Sequence, residues 1–245
     1  MTRNQLLGAA LILIAATLPM RAQKESEASA NVMMQNVAKG FAAVQDFTVS
    51  LSADVDMERV RVPKMTATLY YKKPDKVHVE SPNFAMLPRE GIVLNPSILS
   101  ERYRPTLKGK EEIEGRELYR IALTAREARI RPAQLTIWID RSNWTIARME
   151  SAPYQGRSLK LSMTHELHEG SMWLPRTLVA SFESAVRDTT PTLDLNVQGI
   201  PEPDQPRRPP RSGKITVQYT GYKINTGLSD DLFEKKEPAV RDRKD

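Results

Sequence analysis

The chain has no cysteine among its 245 residues. That absence excludes disulfide staples, thiolate catalysis and cysteine-ligated zinc. It also excludes a lipid-modified cysteine behind an export signal, so an exported form is expected to be untethered. Histidine is nearly as scarce, with only His78, His165 and His168. Charges of both signs are spread along the chain, and no basic stripe interleaved with aromatics is present, so a nucleic-acid partner is not expected. The sequence also lacks a G-x-S-x-G elbow, a P-loop and a dinucleotide-binding glycine fingerprint.

The first residues read as an address. "MTRNQ" is positive, "LLGAALILIAATL" is apolar, and "PMRAQ" places the small Ala22 where cleavage is expected. The apolar run is shorter than the roughly 20 residues that a bilayer-spanning helix needs. Residues 1–22 are therefore expected to be a signal peptide, and 23–245 a single domain outside the cytoplasm. The full chain carries +6, and Arg3 and Arg21 leave with the signal, so the remainder is mildly basic.

Beyond that point, "KESEASANVMMQNVAKGFAAVQDF" predicts one amphipathic helix with an apolar stripe of Met33, Val37, Phe41 and Val44. Strand patterns then dominate: "FTVSLSADVDM", "MTATLYY", "KVHVES", "ELYRIALTA", "QLTIWID", "WTIARMES", "SLKLSMTHEL", "LPRTLVASFES" and "KITVQYTGYKI". Turn residues separate neighbours, so the sheet should be antiparallel, and that many twisted strands tend to curl. The expected class is α+β, mainly antiparallel β, with one helix on one curled sheet.

Two stretches break the pattern. Ser81–Leu99 is apolar but irregular, with Pro82, Pro88 and Pro96 barring a central strand, and reads as a lid-like segment. Residues 188–213 are rich in proline and charge and read as a partly disordered insertion, and 234–245 form a polar tail.

Catalytic patterns are thin. "HELHEG" is not H-E-x-x-H, and His165 and His168, three apart in a strand, should point to opposite faces. The acids of "KGKEEIEGRE" sit beside basic neighbours, as at a solvated hairpin end. No catalytic residue, metal ligand or cofactor is expected, and the protein reads as a binder, not an enzyme. A secreted hydrolase with a site of unrecognised pattern is the alternative class.

The stronger signal is apolar area. Met65, Ala67, Leu69 and Tyr71 share one strand face, and Lys73 continues that line. Leu135, Ile137 and Ile139 share another, as do Leu159, Leu161 and Met163, and Ile215, Val217 and Tyr219. A single helix is narrow for so wide a face, and a curled sheet that its helix does not fill leaves a ligand hollow. The candidate wall comprises Met65, Leu69, Tyr71, Val77, Val79, Leu135, Ile137, Ile139, Leu161 and Val217, with Lys73 at the rim.

In "LYYKKPDKVHVES", "LTIWIDRSNWTIARMES", "WLPRTLVASF" and "YKINTGLSDDLF" the chain resembles the LolA-type outer-membrane lipoprotein-sorting proteins. The resemblance implies an unclosed β-barrel, its concave face capped by helices, that binds acyl chains without chemistry. It also implies a periplasmic monomer, passing lipoproteins or another acylated lipid between inner- and outer-membrane partner proteins. Relatives of the same fold sense lipids in envelope stress, which gives an alternative reading as a lipid-responsive interaction module. Lys73 matches a basic residue that holds the family's lid, where LolA has arginine. A lysine keeps the charge but not the planar fork of donors. The Ser81–Leu99 stretch and the proline-rich insertion depart from the family pattern.

Overall fold

A computed structural model describes residues 26–57, 60–61, 63–81, 95–152, 157–184 and 212–234. The expected signal peptide lies outside these residues. So do 82–94 of the expected lid, nearly all of the proline-rich insertion and most of the polar tail. No helix among the described residues is long and apolar enough to cross a membrane.

Helix α1 covers residues 26–40. The strands that follow are β1 (Asp46–Met57), β2 (Val60–Arg61), β3 (Met65–Lys72) and β4 (Lys76–Glu80). A short helix α2 (Pro96–Arg102) then leads into β5 (Tyr103–Ile113), β6 (Arg116–Ala125), β7 (Gln134–Asp140) and β8 (Thr145–Ser151). Last come β9 (Arg157–His168), β10 (Met172–Ser184), β11 (Ser212–Ile224) and a 3-10 turn at Asp230–Phe233. The strands form one antiparallel sheet in the order β4-β3-β1-β11-β10-β9-β8-β7-β6-β5, with β2 beside β1. Edge strands β4 and β5 do not pair with each other, so the barrel stays unclosed.

Two expectations need correction. The predicted helix ends at residue 40, not near Phe47. Gly40 is followed by a turn tightened by bonds from Phe41 N to Ala38 O (3.2 Å) and Ala42 N to Lys39 O (3.0 Å), the usual way a helix end satisfies spare groups. Of the predicted stripe, Val37 and Val44 are buried, Phe41 is half-buried and Met33 packs at the side, while its neighbour Met34 and Ala30 take the fully buried places. The Met33–Met34 pair made either phase compatible with the helical period, and tertiary packing chose one.

The other correction concerns "YRPTLKGKEEI", which is strand β5. Pro105 within it hid the strand, yet an edge strand tolerates proline because one of its sides makes no ladder. The acidic stretch beside it does form a hairpin end. Glu114 and Gly115 both take positive φ (51° and 73°), as a tight two-residue hairpin requires.

The concave face and α1 make one apolar core that runs from β3 and β1 through β11, β10, β9, β8 and β7 to β6. A small second cluster lies on the opposite face, where Trp138 packs with Leu118 and Ala147. There Trp138 Nε1 donates to Glu111 Oε2 (2.8 Å), and Arg148 lies over the indole ring.

The C-terminal motif "NTGL" wraps the start of β1. The buried Asp46 carboxylate accepts from the backbone of Thr226 (2.8 Å), Gly227 (3.0 Å) and Leu228 (3.4 Å). Asn225 Oδ1 accepts from Gln45 N (2.7 Å), and Asn225 Nδ2 donates to Ala43 O (3.0 Å). The turn after α1, the start of β1 and the end of β11 are thus fixed at one point. Replacing Asp46 with alanine takes the acceptor from these part-buried donors and should cost roughly 1–3 kcal/mol. Urea unfolding of Asp46→Ala checks this, with an unchanged midpoint as the contrary result.

Candidate functional site

Most of the predicted wall residues lie beneath α1. Leu69, Tyr71, Ile137 and Ile139 are fully buried, Met65, Leu135, Leu161 and Val217 are buried, and Val77 and Val79 pack at the margin on β4. They form a continuous apolar floor, and α1 packs in the same core through Ala30, Met34 and Val37.

The helix is tied at both ends to opposite margins of the sheet. Near its start, Ser26 Oγ donates to Leu107 O on β5 (2.7 Å), and Glu27 pairs with Arg104 (3.5 Å). At its other end the Lys73 ammonium donates to Ala42 O, and Lys73 N donates to Gln45 O (2.8 Å). Carbonyls just past a helix C-terminus carry partial negative charge, so a lysine there is doubly suited. Lys73 therefore latches α1 itself.

Tyr71 supports the same corner. Its ring stacks on Phe47 (5.1 Å) and leans on Phe41 (5.5 Å), and its hydroxyl donates to Pro74 O (3.2 Å). Burial, aided by the Asp75 charge, pushes that hydroxyl up to about 12. Asn95 caps α2 through Ser97 N (3.0 Å) and also donates to Pro74 O. Of the lid-like segment, the described part is the approach to α2, whose Pro96 and Leu99 are buried.

A cavity of about 60 Å³ opens at this end of the molecule, between the last turn of α1, the start of α2 and the β7–β8 turn. Phe41, Phe47, Trp144, Trp173 and Tyr222 supply its aromatic wall, and Val37 and Met163 join it to the core. None of the predicted wall residues lines it. Simple strand parity missed Tyr222 because β11 bulges opposite Val49, where the register slips between Thr48–Lys223 and Ser50–Thr220. Gly221 takes φ 68° there and brings Tyr222 to the side of Tyr219. The glycine inside "YTGYKI" was the available signal.

His165 also lines this cavity, part-buried, and its imidazole hydrogen-bonds to none of the described residues. Burial pushes its imidazole down to about 4, against the pull of Asp140 and with the help of Arg116. Arg116 and Asp140 pair with each other (3.2 Å). His168 packs edge-on against Tyr222 (4.8 Å), and its Nε2 lies 3.0 Å from Glu166 without hydrogen-bond alignment. Tyr222 donates to Pro175 O (2.6 Å), and burial pushes the Tyr219 and Tyr222 hydroxyls up. Asn143 is committed to Thr145, accepting from its N (3.1 Å) and hydroxyl (2.8 Å). Among the described residues, no group of three or more metal-ligating side chains converges.

An unclosed antiparallel barrel strapped by one helix has counterparts among solved structures. A DUF1329 family protein from Desulfovibrio piger aligns over 84% of this chain and 97% of its own, at 12% identity and a TM-score of 0.55. A putative outer membrane lipoprotein-sorting protein domain from Vibrio parahaemolyticus gives 83%, 97%, 11% and 0.55 in the same order. A LolA superfamily protein from Nitrosomonas europaea gives 84%, 97%, 15% and 0.53. The chain has the LolA fold. No protein-family model and no curated protein matches the sequence. At such identities the likeness is one of fold, and the LolA-fold site has to be argued from this chain's own residues.

The depressed His165 predicts a pH dependence. Between about 6.5 and 4 the unfolded chain binds a proton that the folded one refuses. Its stabilising contribution is complete above pH 6.5 and is lost as pH falls toward 4, at no more than about 1.4 kcal/mol per pH unit. Urea unfolding across this range should show the slope, and His165→Gln should flatten it.

Proposed function

We propose that the protein is an exported, non-enzymatic carrier that binds the acyl chains of lipoproteins or a related lipid and passes them between partner proteins of two membranes. The observation that carries this reading is the unbroken apolar concave face, covered mainly by one helix that polar ties hold at its two ends. The LolA fold supports it by analogy of architecture alone.

The described state is closed. The cavity between the described residues holds about 60 Å³, far below the roughly 300–1,000 Å³ of ordinary ligand pockets, so admitting a chain to the floor on which α1 packs takes a movement of α1. The exchange is near balance. Lifting α1 exposes Met34 and Val37, each worth about 1.5–3 kcal/mol when buried. An acyl chain returns about 0.8 kcal/mol for each methylene it buries, before ordering costs. Helix and cargo compete for one apolar floor, which permits loading and also release. Lys73 sets the balance by holding the closed form, and α1 then takes the role of lid.

Three results would establish the reading. Native mass spectrometry of protein purified without detergent should show a bound acylated species, and Ile137→Glu should abolish it. Joining cysteines at Glu27 and Arg104 with a thiol-cleavable bismaleimide should block uptake of added lipid until the linker is cleaved, since this leaves the fold intact. Lys73→Ala removes a partly exposed charge-assisted tie worth about 0.5–1 kcal/mol and should speed uptake about two- to fivefold. An unliganded mass combined with no uptake by the uncrosslinked protein would refute the carrier.

A further inference from the structure

We infer that the cavity beside His165 receives the head of the cargo, and that this head is uncharged and presents an ester or hydroxyl oxygen. The inference rests on the carrier reading and specifies one end of its ligand.

The wall dictates the class. Phe41, Trp144, Trp173 and Tyr222 supply apolar faces, and among the described residues no lysine, arginine, aspartate or glutamate lines the cavity. A phosphate, carboxylate or ammonium head would lose its hydration there without a counter-charge, which is costly. The charges that act on His165, Arg116 and Asp140, already pair with each other.

The polar groups that do line the cavity are largely committed. The Tyr222 hydroxyl donates to Pro175 O, Tyr219 also has a partner, and Asn143 commits its Oδ1 to Thr145, which leaves it only the donors of its Nδ2. His165 is different, for it lines the cavity and stays neutral near pH 7, and its imidazole has no hydrogen bond to a described residue. A neutral imidazole offers one N–H donor and one acceptor nitrogen, which match an ester carbonyl or a hydroxyl. Val37 and Met163 belong both to this wall and to the core beneath α1. A head held at His165 therefore leads its chain directly onto the apolar floor.

Three probes of equal chain length separate the outcomes: 1-monooleoylglycerol, oleate and 1-octadecene, each delivered from cyclodextrin and followed by tryptophan fluorescence and native mass spectrometry. The intact protein should bind the glycerol ester about five- to tenfold more tightly than the hydrocarbon, as one net hydrogen bond allows. Oleate should bind no better than the hydrocarbon. His165→Leu should bring the ester to the level of octadecene without changing octadecene itself, and His165→Gln should keep most of the preference. An ester preference that survives His165→Leu, or tightest binding of oleate, overturns the head site and leaves the carrier standing. Failure of all three probes to bind overturns the carrier and the head site together.

Discussion

Everything in this molecule follows from the need to cover one face of one sheet. A curled antiparallel sheet whose concave side carries Leu69, Leu51, Ile137, Leu161 and Val217 cannot leave that side in water. With edges β4 and β5 unpaired, the sheet cannot close and fill itself as a small barrel does. The cover comes from a separate element, α1, packed on the sheet by a few apolar residues and held at its ends by polar ties.

Those ties are unequal in kind. At the start of α1 there is a serine hydroxyl and an exposed ion pair to edge strand β5, both weak in water. At its end the lysine, the aromatic group of Phe41, Phe47 and Tyr71, and the carboxylate nest around Asp46 crowd into one corner. The helix is thus anchored firmly where the C-terminal motif meets β1 and loosely at the far edge. The aromatic cavity with His165 lies against the strong corner.

The likeness to LolA-fold structures concerns the path of the chain, and at 11–15% identity it says nothing of individual contacts. In this chain Lys73 ties the turn after α1 through Ala42 O. The latch falls on the turn after α1, a point that repeated strand patterns could not reveal.

Much of the fold was legible because alternation has one physical cause. The apolar parity of "LTIWID" and "SLKLSM" puts Leu135, Ile137, Leu161 and Met163 on the buried side in the structure as on paper. β5 was illegible because a proline in an edge strand looks like a break. The phase of α1 was illegible because Met33 and Met34 are equally apolar. The candidate cavity was illegible for a stronger reason. It joins residues from both helices, the β7–β8 turn and five strands, and it depends on a bulge at Gly221 that reverses the parity of Tyr222. Local periodicity determined the strands, their inward faces and the presence of one amphipathic helix. Only the tertiary structure decided that this helix closes the hollow, and that an uncharged histidine faces the gap it leaves. Closure and gap depend on how separate elements share volume, and pattern along one chain segment carries no information about that.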